Sequence, residues 1–202
     1  MPAEPSTSQL EHVWVYGNDH SPWVQAVLLG LHERGIPHTQ VIAPPLSVFL
    51  DSGILMPAAK LGDRPWQLDS ERILVELGFP EVSPAKRRPL GKVFSGAAQT
   101  RTDSVLHFWR CFSWTRDGHP KTSRRLWNQF CKSFSIFYYF TLLSVLRRVR
   151  RRTSADEFAE SLVAVQGMLE PGVTYFGGDE PDTFDLQMFG MVQMFSSVPG
   201  QP

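Results

Sequence analysis

The chain has 202 residues, 42% of them hydrophobic, which is enough for a packed core in one large or two small domains and excludes disorder throughout. Twenty basic and twenty acidic side chains cancel, so no global field points to nucleic acid, a membrane or an acidic substrate as the main partner. Cys111 and Cys131 lie on helical-looking segments without a CxxC pair and read as reduced thiols of an intracellular protein; six histidines without HxxxH or HExxH spacing, His32 among them, give no metal site.

In chain order, "MPAEPSTSQLE" (1–11) is polar, proline-bearing and unlike a signal peptide, and predicts a disordered lead. "HVWVYG" (12–17) is a buried-strand pattern that stops at a glycine. Ser21 is a favoured N-cap, Pro22 suits the first helical position, and Trp23, Val27, Leu28 and Leu31 recur at helical spacing until Gly35. "PHTQVIAP" predicts a second strand, broken by Pro44 and Pro45, and the two strands of such a βαβ unit should be parallel. After an irregular or helical link (47–55), a strand following Pro57 turns at Gly62 and Asp63, returns through Trp66 to Leu68, and enters a helix at Asp69 or Ser70.

Beyond Gly78 the pattern changes. Prolines 80, 84 and 89 and a basic cluster at 86–88 make 80–92 a linker between a domain over 12–79 and an all-helical domain over 93–202. Helices are predicted over 93–115, 122–149, 154–169 and 182–195, the last with Asp182 as N-cap and Asp185 in its first turn. The thirteen-residue run "FSIFYYFTLLSVL" (134–146) is short of the roughly twenty residues of a membrane span and predicts a buried helix. The "RRVRRR" that follows (147–152) is expected to be a solvated helix end, with an interfacial helix on anionic lipid as the alternative.

The order of parts, a thioredoxin-like βαβ-ββα half, a proline-rich linker and a helical half, resembles a glutathione transferase. Three motifs carry the resemblance. "SPWVQAVLLGL" looks like the first helix start of the serine-using tau, zeta and omega-like classes. "MPAAKLGDRPWQLDSERIL" is similar to the run from the cis-proline strand to the acidic-serine pair of the third helix. "GGDEPDTFDLQMFG" resembles the capped late helix of the second domain. Two departures stand out: "AAK" after Pro57 is a poor strand sequence, and the chain ends where relatives continue through further helices that wall the substrate pocket, so that either the product is a short form or part of the usual sequence is absent.

The resemblance implies conjugation of glutathione to small hydrophobic electrophiles through a stabilised thiolate, in a cytoplasmic homodimer without a metal, with no nucleic-acid partner and no membrane association. A cysteine-type thiol near pKa 8.5 needs about 2.7 kcal/mol of preferential anion stabilisation to titrate near 6.5. A helix amino end supplies about 0.3–2 kcal/mol and a charge-assisted hydroxyl bond about 1.5–3 kcal/mol, so Ser21 at the mouth of the first helix suffices as the activating donor. Its bland alternative is a plain cap, and Tyr16 at the end of the first strand is the rival hydroxyl.

By the same resemblance Pro57 is the cis-proline, the backbone of Met56 pairs with the cysteinyl portion of glutathione, Ser70 holds the γ-glutamyl carboxylate, and Asp69 attracts its amino group. For Pro57 the alternative is an ordinary trans bond, and for Asp69 and Ser70 it is simple capping. The aromatic runs "VLHFWRCFSW" (105–114) and "FSIFYYF" are candidate walls for the co-substrate. Two other functions fit the same residues: a non-catalytic binding module on the same fold, and glutathione-dependent isomerase or dehalogenase chemistry.

Overall fold

The computed structural model describes residues 11–18, 21–87, 89–90, 93, 123, 126–134, 137–138, 141, 155–169 and 171–196. The expected lead over 1–11, the helix over 93–115, the arginine run, Cys111 and the aromatic run 105–114 lie outside them, apart from Glu11 and the helical Val93. By packing, the chain divides into two compact units, residues 1–82 with 174–197 and residues 83–173 with 198–202.

The first unit is built on a four-stranded sheet. Strand β1 (Val13–Tyr16) is followed by α1 (Pro22–Glu33), β2 (His38–Val41), α2 (Leu46–Ser52), β3 (Ala58–Leu61), β4 (Gln67–Leu68) and α3 (Ser70–Glu76). The strand order is β2-β1-β3-β4, with β1 parallel to β2 and antiparallel to β3, and β3 antiparallel to β4. This is the thioredoxin-like βαβ-ββα arrangement, and the link over 47–55 contributes a helix, α2, at its start.

Alternation along the strands assigns the two faces. Val13, Val15, Ala59 and Leu61 form one core with Val24, Val27 and Leu31 of α1 and Ile73, Leu74 and Leu77 of α3, while Tyr16 and Ala58 turn to the opposite face against Val48 of α2. The weak "AAK" sequence nonetheless makes a central strand. Both Ala58 and Ala59 are fully buried, so small side chains on each face admit a helix on each side, and packing overrides intrinsic preference.

Helices α1 and α3 stop alike. Gly35 and Gly78 take left-handed φ of 62° and 86°, and the amides of Ile36 and Phe79 bond back to Leu31 and Leu74 at 2.9 and 3.0 Å, closing the helix ends with carbonyls satisfied. Both following residues are buried, so each stop also anchors the chain to the core.

A late helix of the chain, α5 (Thr183–Ser196), belongs to this same unit and packs on α1. Its start is a reciprocal cap. The amide of Asp185 bonds Oδ1 of Asp182 at 3.0 Å while the amide of Asp182 bonds Oδ2 of Asp185 at 3.0 Å. The Asp185 carboxylate also accepts from the amides of Phe176 and Gly177 at 2.8 and 3.0 Å, fastening the preceding turn. Burial raises the pKa of this carboxyl, against the backbone donors that pull it down.

The second unit is described in pieces. Residues 84–87 and 89–90 of the expected linker are helical, and α4 (Ala155–Gln166) buries Ser161 and Val165. Cys131 is buried and unpaired, and desolvation pushes its thiol pKa up, against a backbone hydrogen bond that pulls it down. Residues 126–134 are helical, as are 137–138 and 141; of the run 134–146 expected to be buried, Phe134, Phe137, Tyr138 and Thr141 are exposed, and the other positions lie outside the described residues. The turn of the helix explains it. Cys131 and Lys132 point inward instead, and an apolar run has only one set of positions to bury.

Candidate functional site

Strand register brings three separated pieces of sequence to one end of the sheet. Tyr16 pairs with Ala58 and Ala58 with Leu68, so the next residues outward, Gly17, Pro57 and Asp69, follow one another beyond the last rung. The Met56–Pro57 bond is cis, as the resemblance implies. The loop from β1 to α1 is fastened beside it: the amide of Asn18 bonds Sδ of Met56 at 3.3 Å, and the amide of Ser21 bonds the carbonyl of Asn18 at 2.9 Å.

Ser21 occupies the N-cap position of α1 with extended backbone, its carbonyl accepting from the amide of Gln25 at 3.0 Å. Its side chain makes no capping hydrogen bond, and the residue is half-buried. Capping therefore does not consume the hydroxyl. No acidic residue stands in the first turn of α1, so nothing from the helix itself opposes an anion at its amino end.

Tyr16 is fully buried on the α2 face of the sheet, its hydroxyl 3.5 Å from the carbonyl of Ile54. The phenol is thus turned to the α2 side of the sheet. Alternation explains this, since Val15 faces α1 and its neighbour must face away.

At the amino end of α3, Asp69 has φ 82° and ψ 113°, the one positive-φ residue other than glycine among the described residues. Such a backbone costs on the order of 1–3 kcal/mol and persists where surrounding structure imposes it. Its Oδ1 accepts from the amide of Glu71 at 2.9 Å, so the capping role is real. Ser70 is buried and its Oγ accepts from Nε2 of Gln187 on α5 at 3.2 Å. A hydroxyl that accepts there keeps its own proton to donate.

Four participants were not visible in sequence: Asn18, whose buried Oδ1 has no partner; the thioether of Met56; Gln187, whose buried Oε1 also lacks one; and Gly190. Only Gly190 left a signal, an isolated glycine inside an apolar helical pattern. A Cβ there would collide with the carbonyl oxygen of Pro22, so this glycine lets α5 sit against the first turn of α1. A separate cleft of about 580 Å³ opens between α2 and the β3–β4 hairpin, lined by Asp51, Lys60, Arg64 and Trp66, and none of the sequence-derived site residues lines it. Among the described residues no cluster of His, Cys, Asp and Glu is arranged for a metal, and no helix is long and apolar enough to cross a membrane.

No family model and no curated protein sequence matches the chain. Solved structures do. A glutathione S-transferase from Pseudomonas fluorescens superposes with a TM-score of 0.52 at 15% identity, covering 94% of this chain and 87% of its own. A glutathione transferase homolog from Drosophila mojavensis, solved with bound glutathione, gives 0.51 at 16% identity over 94% and 80%. An unclassified glutathione S-transferase from Bombyx mori gives 0.50 at 14% identity over the same shares, 94% and 80%. At these identities the likeness is one of fold, and the chain has the glutathione transferase fold.

Proposed function

We propose that the chain is a glutathione transferase that joins glutathione to a small hydrophobic electrophile, with Ser21 as the donor to the thiolate. One observation carries this reading: the Ser21 hydroxyl makes no capping bond at the amino end of α1, a place that favours an anion, on the same sheet end as Met56 and Pro57. The fold shared with proteins that include one solved with bound glutathione supports it.

In this mechanism the backbone of Met56 holds the cysteinyl portion, and the proton on Ser70 Oγ, oriented by Gln187, meets the γ-glutamyl carboxylate. Asp69 attracts the amino group beside it. The thiol loses its proton to solvent and the Ser21 hydroxyl donates to the resulting anion. The sulfur lone pair then forms the bond to carbon while the leaving group departs with its electrons. A homodimer and a cytoplasmic address belong to the same proposal, and the mass in solution checks the first.

The test is glutathione binding by calorimetry together with conjugation of a generic aromatic electrophile, in the native chain and in Ser21→Ala. Binding and turnover, with turnover lost in the variant, is the expected result. Binding without turnover would identify a module that holds the tripeptide only, and absence of binding would remove the proposal.

A further inference from the structure

On the face of the sheet that carries α2, the cleft beside the β3–β4 hairpin has no part in the proposed transfer. Its floor follows from register. Lys60 of β3 pairs with Trp14 of β1, and continuing the Ala58–Leu68 and Ala59–Gln67 pairing by one residue sets Lys60 opposite Trp66. Alternation turns Lys60 to the same face as Ala58, which shares a cluster with Val48 of α2 and Trp66. Lys60 is half-buried and stands between two indole side chains on one face of the sheet. The opposite wall is α2, where Ser47 and Asp51 lie one turn apart and both line the cleft.

Charge decides what fits. Among the described residues neither Lys60 nor Asp51 has a hydrogen-bond or ion-pair partner, and no ion pair joins the two although both line the same cleft of about 580 Å³. Arg64 of the hairpin is already engaged, its Nη1 donating to Oε2 of Glu76 on α3 at 3.1 Å. Asp63 is exposed on the turn itself. A phosphate ester would therefore meet one free cation and two carboxylates, and an uncharged apolar molecule would cover both charges without pairing either. A zwitterion answers the two walls at once. Its carboxylate pairs with the Lys60 ammonium, and its own ammonium pairs with the Asp51 carboxylate, with the Ser47 hydroxyl beside it as a second acceptor. Trp66, half-buried against the cluster of Val48 and Ala58, supplies a flat apolar wall for a ring.

We propose that this cleft is a binding site for a free aromatic α-amino acid, held by its two charges between α2 and β3 with its ring on Trp66. The inference stands independently of the transferase reading, since none of Ser21, Met56, Pro57, Asp69 and Ser70 lines the cleft.

L-Phenylalanine is titrated into the full-length protein by calorimetry, alongside N-acetyl-phenylalanine, which lacks the ammonium, and phenethylamine, which lacks the carboxylate. L-Phenylalanine is expected to bind with a Kd of about 1 mM or tighter, and each analogue at least about tenfold more weakly. Lys60→Gln and Asp51→Asn should each weaken binding of the amino acid at least about tenfold with the unfolding midpoint preserved, because neither side chain makes a bond that the substitution would break. Asp63→Asn should leave it within about twofold. Excess glutathione should not displace the amino acid. No binding of L-phenylalanine, equal binding of either analogue, or undiminished binding in either Lys60→Gln or Asp51→Asn would overturn the proposal. So would a loss in Asp63→Asn larger than in Asp51→Asn, and displacement by glutathione would assign the cleft to the tripeptide instead.

Discussion

Gly190 of α5 lies so close to Pro22 of α1 that a methyl group at position 190 would collide with the Pro22 carbonyl oxygen. The first turn of α1 carries Ser21 at its cap, so the seating of α5 helps fix where the proposed thiolate donor stands. In an exposed helix Gly→Ala would stabilise by about 1 kcal/mol. Here overpacking wins.

Gly190→Ala is therefore expected to lower unfolding free energy by about 1–3 kcal/mol. Urea denaturation measures it, and a gain in stability would show that the two helices separate at little cost. Reduced glutathione affinity in the folded fraction should accompany the loss, since α1 must shift at its amino end.

Ser21→Ala separates two roles that sequence could not. A capping serine costs about 0.5–2 kcal/mol when replaced, whereas a hydroxyl with no capping bond should cost no more than about 0.5 kcal/mol. We expect unchanged stability and conjugation slowed at least about tenfold. The pKa of bound glutathione, followed by thiolate absorbance, should rise by about one to two units, the equivalent of one charge-assisted bond. Activity preserved with stability lost would return Ser21 to a plain cap.

Tyr16→Phe should leave conjugation within about twofold, because the phenol is buried on the far face, and should cost about 0.5–1.5 kcal/mol of stability for the hydroxyl's lost contacts. A large rate loss at unchanged stability would make Tyr16 the donor.

Ser70→Ala removes the acceptor of the Gln187 amide and the proton proposed for the γ-glutamyl carboxylate. Stability is expected to fall by about 1–3 kcal/mol, since a buried amide loses its partner, and glutathione affinity should fall too. Gln187→Leu tests the positioning role separately. It should weaken glutathione binding while Ser70 remains, and the two substitutions together should fall short of the sum of their separate effects. Additive losses would show that Gln187 does not act through Ser70.

Asp185→Ala should destabilise more than Asp182→Ala. Asp185 accepts from three backbone amides, at Phe176, Gly177 and Asp182, while the Asp182 side chain accepts from one in the cap. Loss of the single cap bond is worth about 0.5–2 kcal/mol. Thermal unfolding of both variants checks the order.

Much of the fold was written locally. The Ser21-Pro22 start, the Gly35 and Gly78 stops, the turn at Gly62 and Asp63 and the Asp182 cap each depend on the conformational preferences of a few neighbouring residues, which sequence displays directly. Side-chain direction was decided elsewhere. That Tyr16 faces α2, that Ser70 meets Gln187 and that Gly190 admits Pro22 follow from strand register and helix seating across more than a hundred residues of chain in the last two cases. The aromatic stretch after residue 126 shows the same division: its composition announced an apolar helix, but which side turns to water is a rotation that only neighbours in space can set.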